Sequence, residues 1–215
     1  RAARKGVFYD AVQHERRAAV RVDHHLDFAE VNARLEPLTG WRIVGVPGLI
    51  PDAAFYDHLA HRRFPVTVWI RKREEIDYLV EPDLFHDFFG HVPLLTNPVF
   101  ADYMQDYGRR GVEAGPNVHL LARLYWFTVE FGLIREEGEL KLYGSGLISS
   151  PGESVHALES PEVERREFDL DRVCETSFEI DHYQPILYVL DSFEQLRDAM
   201  NSYAERILED HSTKV

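Results

Sequence analysis

The sequence has a single cysteine, Cys174, two methionines, and no apolar run of the roughly 18 residues that a membrane-crossing helix needs. One thiol cannot close an internal disulfide and lacks the partner cysteines of a zinc knuckle, so a reducing, cytoplasmic setting is expected. The basic start (Arg1, Arg4, Lys5) is not followed by the apolar stretch of a secretory signal. Because the first residue is Arg rather than Met, residues ahead of it are expected to have been removed or left out. Positive charge is scarce as well: 24 Lys and Arg stand against 37 Asp and Glu, for a net charge of −13. That balance argues against polyanion binding, and neither nucleic acid nor a membrane is expected as a partner. Most of the excess lies from Pro151 to Val215, with 6 basic and 16 acidic side chains, and reads as a solvated acidic surface.

What is present is the material of a sizeable core. Of 215 residues, 45% are apolar, 12% aromatic and 28% charged. There is no internal repeat and no linker long enough to separate a second domain, so one domain over 1–215, with 1–26 peripheral, is expected. Phe8 to Leu35 reads as helical or partly irregular. Its best segment starts at the capping residue Asp27 and carries Phe28, Val31 and Leu35 at helical spacing before Thr39-Gly40 ends it. Arg42–Val46 reads as a strand, Val46–Pro51 as a loop, Asp52 as the cap of a helix to about Arg63, and Val66–Ile70 as a strand. Helices are expected over Asp83–Gly90, Asn97 to about Val112 and Asn117–Phe131. Short strands follow at Leu133–Ile134 and Leu140–Tyr143, then a loop over Gly144–Pro151. Strands near Ser177–Ile180 and Ile186–Leu190 precede a closing helix, Ser192 to about Leu208. The fold class is mainly α (α+β), one helical domain with short peripheral strands.

The most informative segment runs Glu81-Pro82-Asp83-Leu84-Phe85-His86-Asp87-Phe88-Phe89-Gly90-His91-Val92-Pro93. Its two histidines lie five apart, which on an ideal α-helix sets them about 140° apart. Both reach one metal only if the helix stops between them, and Gly90 and Pro93 sit where such a stop is expected. A third ligand comes from the apolar helix Asn117–Phe131, where Glu130 stands among Leu120, Leu121, Leu124, Tyr125, Trp126, Phe127, Val129 and Phe131. A carboxyl there has a strongly raised pKa unless a cation neutralises it. The plainer reading is a helix-end acid that reaches water or pairs with Arg135. Two imidazoles and a carboxylate make the facial triad of non-haem Fe(II) oxygenases. Zinc hydrolases also use two His and one Glu, but typically with His at i and i+4 and a Glu directly after the first; here Asp87 follows His86.

The segments Glu81–Pro93, Leu121–Gly132 and Tyr143–Glu153 resemble the signature blocks of the pterin-dependent aromatic amino acid hydroxylases, most closely the short bacterial phenylalanine 4-hydroxylases. The resemblance covers about Asp27 to Leu190, with the blocks in the same order. It implies an Fe(II)- and tetrahydropterin-dependent monooxygenase that uses O2 to hydroxylate the ring of an aromatic amino acid, phenylalanine to tyrosine. Within that resemblance His86, His91 and Glu130 are the iron ligands and catalytic centre. Arg71 binds the amino acid carboxylate and Asp83 holds Arg71 in place; taken alone, Arg71 belongs to a charged run that reads as a solvated turn. Pro82, Trp126 and the backbone near Gly146 wall the substrate pocket, although Trp126 by itself reads as core. Ser149 orients the first iron histidine and stands with the substrate residues. The pterin lies between the Val46–Ile50 loop with Gly48 and Leu49, the Phe55 ring, Tyr125 and Asp87. Two departures stand out: Leu79-Val80 replaces the Thr-Pro of the animal enzymes, and Asp87 replaces their longer Glu. No regulatory domain and no tetramer-forming heptad helix are expected, so the chain is expected to be a monomer. Tryptophan hydroxylation, attack at the meta position of phenylalanine, a zinc hydrolase and a non-catalytic pterin-binding module are the alternatives.

Overall fold

A computed structural model describes residues 27–75, 81–114, 119–180 and 182–212. Leu79-Val80, Asn117 and the stretch before Asp27 therefore lie outside the described residues. Helix α1 (Phe28–Thr39) starts where expected: Asp27 Oδ1 accepts from the Ala29 and Glu30 N–H groups, and Gly40 ends the helix in the left-handed region at φ 76°. Strand β1 (Arg42–Val46) follows, then α2 (Asp52–Ala60) and β2 (Arg63–Thr67).

Three expectations fail here. Pro51, not Asp52, holds the cap position of α2, and Asp52 is the first helical residue. The helix stops at Ala60, because Arg62 adopts φ 53° and turns the chain into β2. The guanidinium then holds that turn through the Thr39 carbonyl, Gln105 Oε1 (2.8 Å) and Asp102 (2.5 Å). The second strand consequently begins at Arg63 and ends at Thr67, not Val66–Ile70. It pairs parallel with β1, Arg42 opposite Arg63 and Val46 opposite Thr67. Pro65, which has no N–H to give, is tolerated because the sheet is only two strands wide.

Helix α3 (Pro98–Ala114) is capped by Asn97, whose Oδ1 accepts from Val99 and Phe100. It carries Phe100, Tyr103, Met104 and Tyr107 into the main core beside Trp41, Leu59 and Phe64. Helix α4 (His119–Tyr125) leads to the antiparallel hairpin β3 (Leu133–Glu136) and β4 (Glu139–Leu142). The expected loop Gly144–Pro151 contains a short helix, α5 (Ser145–Ile148), and runs into α6 (Pro151–Glu159), which the sequence pattern did not indicate. Nor did it indicate β5 (Glu164–Glu167) and α7 (Leu170–Glu175). Ser177–Ile180 is not a strand; β6 (Ile186–Leu190) is, and α8 (Phe193–Ser212) closes the chain. The second sheet has the order β4-β3-β6-β5 and covers a small core of Leu133, Leu147, Ala157, Val163, Leu187 and Val189. No helix among the described residues is long and apolar enough to cross a membrane. The domain is mainly helical, with short strands in two small sheets.

Candidate functional site

The two histidines meet without the expected stop. His86–His91 is wound as a π-helix, in which each N–H reaches back five residues, so that positions five apart come round to one face. The helical path continues through Val92 (φ −60°, ψ −38°) into a 3-10 segment, Val92–Thr96, that accepts Pro93 near its start. Gly90 serves close approach instead: a Cβ there would lie 2.8 Å from Ser145 Cβ, so only glycine lets α5 press against this turn. Glu130 arrives by the same device. Trp126–Glu130 is a second π segment, closed by the Phe131 N–H on the Trp126 carbonyl at 2.9 Å.

The three donors converge. His91 Nε2 lies 3.2 Å from His86 Nε2 and 3.2 Å from Glu130 Oε1, and His86 Nε2 lies 3.4 Å from Glu130 Oε2. One divalent ion bound at ordinary distances spaces neighbouring N and O donors by about 2.9–3.4 Å, so the cluster fits such an ion. The protonation states fit as well. Burial pushes the His86 imidazole down to about 4, against the pull of the Glu130 charge. Burial also acts to raise Glu130, as expected from its apolar helix, but the imidazoles of His91 and His86 outweigh it and bring the carboxyl down to about 2. At neutral pH the set offers a neutral His86 and an ionised Glu130, the forms a metal ligates. Arg135 does not reach Glu130; it pairs with Glu167 at 2.6 Å.

Surrounding groups hold the donors. Ser149 Oγ lies 2.9 Å from His86 Nδ1 and 3.5 Å from the Gly146 carbonyl. A proton on Nδ1 is received there, which turns the Nε2 lone pair inward. Ser145 Oγ donates to Glu130 Oε2 at 2.7 Å. Sequence reasoning missed Ser145; its place between two glycines inside a matched block was the available signal.

Arg71 is fixed from the same loop. Its Nη2 and Nε meet the two Asp83 oxygens at 2.8 and 3.0 Å, and Nη1 donates to the Ser149 carbonyl at 3.0 Å. Asp83 is fully buried. Burial raises its carboxyl, but hydrogen bonds from Arg71 and the His86 N–H hold it below the usual range. Ser149 thus touches a metal-cluster histidine with its side chain and Arg71 with its backbone. Trp126 is half-buried, stacked on Phe178 (4.5 Å, 18°) and tilted against Phe131 (4.5 Å, 39°). Phe131 in turn lies against Gly146, where a Cβ would come within 2.7 Å of the ring. Pro82 is half-buried directly before Asp83.

Of the residues expected around the pterin, Gly48 and Leu49 follow the carboxyl end of β1 and Asp87 meets the carboxyl end of β2. Asp87 Oδ2 accepts from the Thr67 N–H at 2.8 Å, and burial pushes the carboxyl up to about 6. Phe55 meets Tyr125 edge to face at 5.8 Å, and Tyr125 lies over His91 at 6.3 Å. A Cβ at Gly48 would touch nothing within 4 Å, and Leu49 is 71% exposed. Open space beside a loop, an aromatic edge and a buried acid suit a flat, polar heterocycle.

A family model described as biopterin-dependent aromatic amino acid hydroxylase matches residues 8–214. Phenylalanine-4-hydroxylase of Chromobacterium violaceum is 53% identical over 185 residues, covering 85% of this chain and 62% of that protein. The enzyme of the same name from Ralstonia nicotianae is 55% identical over 174 residues, covering 80% and 56%. The chain thus spans about three-fifths of the length of these curated relatives. The iron- and phenylalanine-bound crystal structure of the Chromobacterium violaceum enzyme superposes with a TM-score of 0.84 at 48% identity, over 92% of this chain and 71% of that one. Sequence blocks, the two-histidine, one-glutamate cluster and the backbone path agree along nearly the whole chain, and the chain belongs to the family of biopterin-dependent aromatic amino acid hydroxylases.

Proposed function

We propose that this chain is the catalytic domain of an Fe(II)- and tetrahydropterin-dependent monooxygenase that uses O2 to convert L-phenylalanine to L-tyrosine, and that it works as a monomer. The observation that carries this reading is the double contact of Ser149, which sets the Arg71 fork at a fixed place relative to the His86–His91–Glu130 cluster. An amino acid held by its carboxylate at Arg71 then has its side chain directed by that anchor, with Pro82, Trp126 and the Gly146 backbone as walls. Arginine suits the task because its planar fork meets a carboxylate through two parallel hydrogen bonds.

His86, His91 and Glu130 would hold the iron, and Gly48, Leu49, Phe55, Asp87 and Tyr125 the pterin. Together these groups supply O2 activation, with the reduced pterin as two-electron donor. The protein itself contributes placement. Three ligands on one side leave the opposite side of a metal open, Ser149 and Ser145 hold His86 and Glu130 still, and the aromatic walls shield the reacting ring from water.

The test adds one equivalent of Fe(II) to metal-free protein with tetrahydropterin, phenylalanine and air, and identifies the product by mass and retention time. Para-tyrosine that needs both iron and pterin supports the reading. Meta-tyrosine, or product from tryptophan alone, moves the ring position or the substrate. No product from phenylalanine, tyrosine or tryptophan refutes it. Activity retained in Glu130→Ala removes the ligand assignment.

A further inference from the structure

The indole of Trp126 is tied to a side chain that the functional reading leaves unused. Trp126 Nε1 donates to Gln184 Oε1 at 3.0 Å, and Gln184 Nε2 donates to the carbonyls of Glu179 (2.9 Å) and His182 (3.1 Å). Gln184 is 3% exposed, so the amide has exchanged water for these three partners. Its orientation follows from them. An indole N–H can be met only by the amide oxygen, and the two carbonyls only by the amino group, so a flipped amide would face like against like.

The backbone of Gln184 is anchored as well. Its N–H donates to Glu153 Oε1 at 3.3 Å. Glu153 stands three residues after the Ser150 cap of α6, where a glutamate ordinarily turns back to the N–H of the capping residue. Here the Ser150 N–H goes to the Leu147 carbonyl, and the 6%-exposed Glu153 carboxyl reaches across to the chain before β6. Phe178, from that same stretch, stacks on Trp126. Stacking alone leaves a ring free to slide or turn in its own plane. The hydrogen bond at its edge removes that freedom.

We propose that Gln184 is a positioning residue for the amino acid substrate: its amide locks the chain at Glu179 and His182 to the edge of Trp126, so that ring and chain form one rigid pocket wall. The inference rests on the reading of Trp126 as a wall of the substrate pocket. Loss of the lock loosens the wall and weakens aromatic amino acid binding, while the metal cluster and the Gly48 loop keep their own supports.

The experiment compares wild type, Gln184→Met, Trp126→Phe and the double variant. The three tryptophans give three indole N–H signals in nitrogen-15 spectra, and Trp126→Phe identifies the one that belongs to Trp126. Gln184→Met is expected to shift that signal and speed its hydrogen exchange. The same change should raise the calorimetric Kd and the KM for L-phenylalanine about five- to tenfold, the weight of one buried hydrogen bond. The KM for tetrahydropterin and the affinity for Fe(II) should hold. In the Trp126→Phe background, which has no N–H to lose, the same change should alter phenylalanine binding less than about twofold. Should Gln184→Met fail to fold, Gln184→Glu carries the test. It keeps an acceptor for the indole but sets an oxygen against two carbonyls, and the same shift and weakening are expected. An unmoved Trp126 signal, an unchanged phenylalanine Kd, or equal losses in both backgrounds overturn the inference. Wild type that binds no aromatic amino acid overturns the functional reading and this inference together, and that result is seen with the wild type alone.

Discussion

Gly90→Ala disturbs the metal cluster without touching a donor. The new Cβ would lie 2.8 Å from Ser145 Cβ and 3.2 Å from Ser145 Cα and O. Ordinary carbon contacts need about 3.5–4.0 Å, so α5 and the π turn must separate by about 0.7 Å or more. Two of the three atoms are backbone, and no rotamer change relieves them. The same residue donates its hydroxyl to Glu130 Oε2 at 2.7 Å, and a separation of that size takes the bond past useful length. Overpacking costs about 1–3 kcal/mol, and the better helix propensity of Ala returns about 1. The net of about 0–2 kcal/mol should lower Tm by up to about 8 °C in a chain of this size. Fe(II) affinity should fall about 10–100-fold, the usual effect of losing a group that steadies a ligand. Calorimetric melting in chelator and anaerobic Fe(II) titration read the two effects. Ser145→Ala separates them, since it removes the hydroxyl and adds no clash: affinity should fall while the overpacking cost is absent. Gly90→Ala with wild-type Tm and an affinity within about twofold of wild type would refute the close-packing account.

Ser149→Ala removes the partner of His86 Nδ1 but keeps the carbonyl that holds Arg71. Iron titration should show about 10–100-fold weaker binding, with phenylalanine affinity changed far less. Arg71→Lys cannot meet both Asp83 oxygens as the fork does. It should raise the phenylalanine KM while leaving the pterin KM, and the opposite pattern in steady-state assays would count against the substrate role. Burial pushes the Glu153 carboxyl up to about 7, against the Gln184 N–H and His182, so the folded chain keeps a proton that an unfolded glutamate has lost. The stability this gives is full below the unfolded pKa and is lost as pH rises through about 7, about 3 kcal/mol in all. Glu153→Gln should remove that decline, and parallel Tm–pH curves for variant and wild type between about pH 5 and 8 would rule it out.

The donor residues are legible in the sequence because their types are rare in such settings: a carboxylate in a wall of apolar side chains, and two histidines flanking Gly90. Their geometry is not. The α-helical period places positions 86 and 91 on different faces, and nothing local in the sequence announces that the turn widens to a π-helix. The widening becomes legible only with Ser145 against Gly90 and Glu130 within reach. Strand β2 departs from its expected place for a related reason. Val66–Ile70 has the stronger β-branched character, but the left-handed Arg62 and the pairing with β1 begin the strand at Arg63. Val68 and Ile70 are left 62% and 65% exposed.

Composition and pattern by themselves determined a mainly helical domain with a buried acid, a histidine pair and the cap at Asp27. Those are local properties: side-chain chemistry, period and hydrogen-bonding groups within a few residues. Tertiary structure alone decided which loop faces which cluster. The Ser149 carbonyl meets Arg71 across 78 positions of chain, and Gln184 reaches Trp126 across 58. Neither pairing leaves a mark in local sequence, because each partner is satisfied by a group that folding brings from elsewhere.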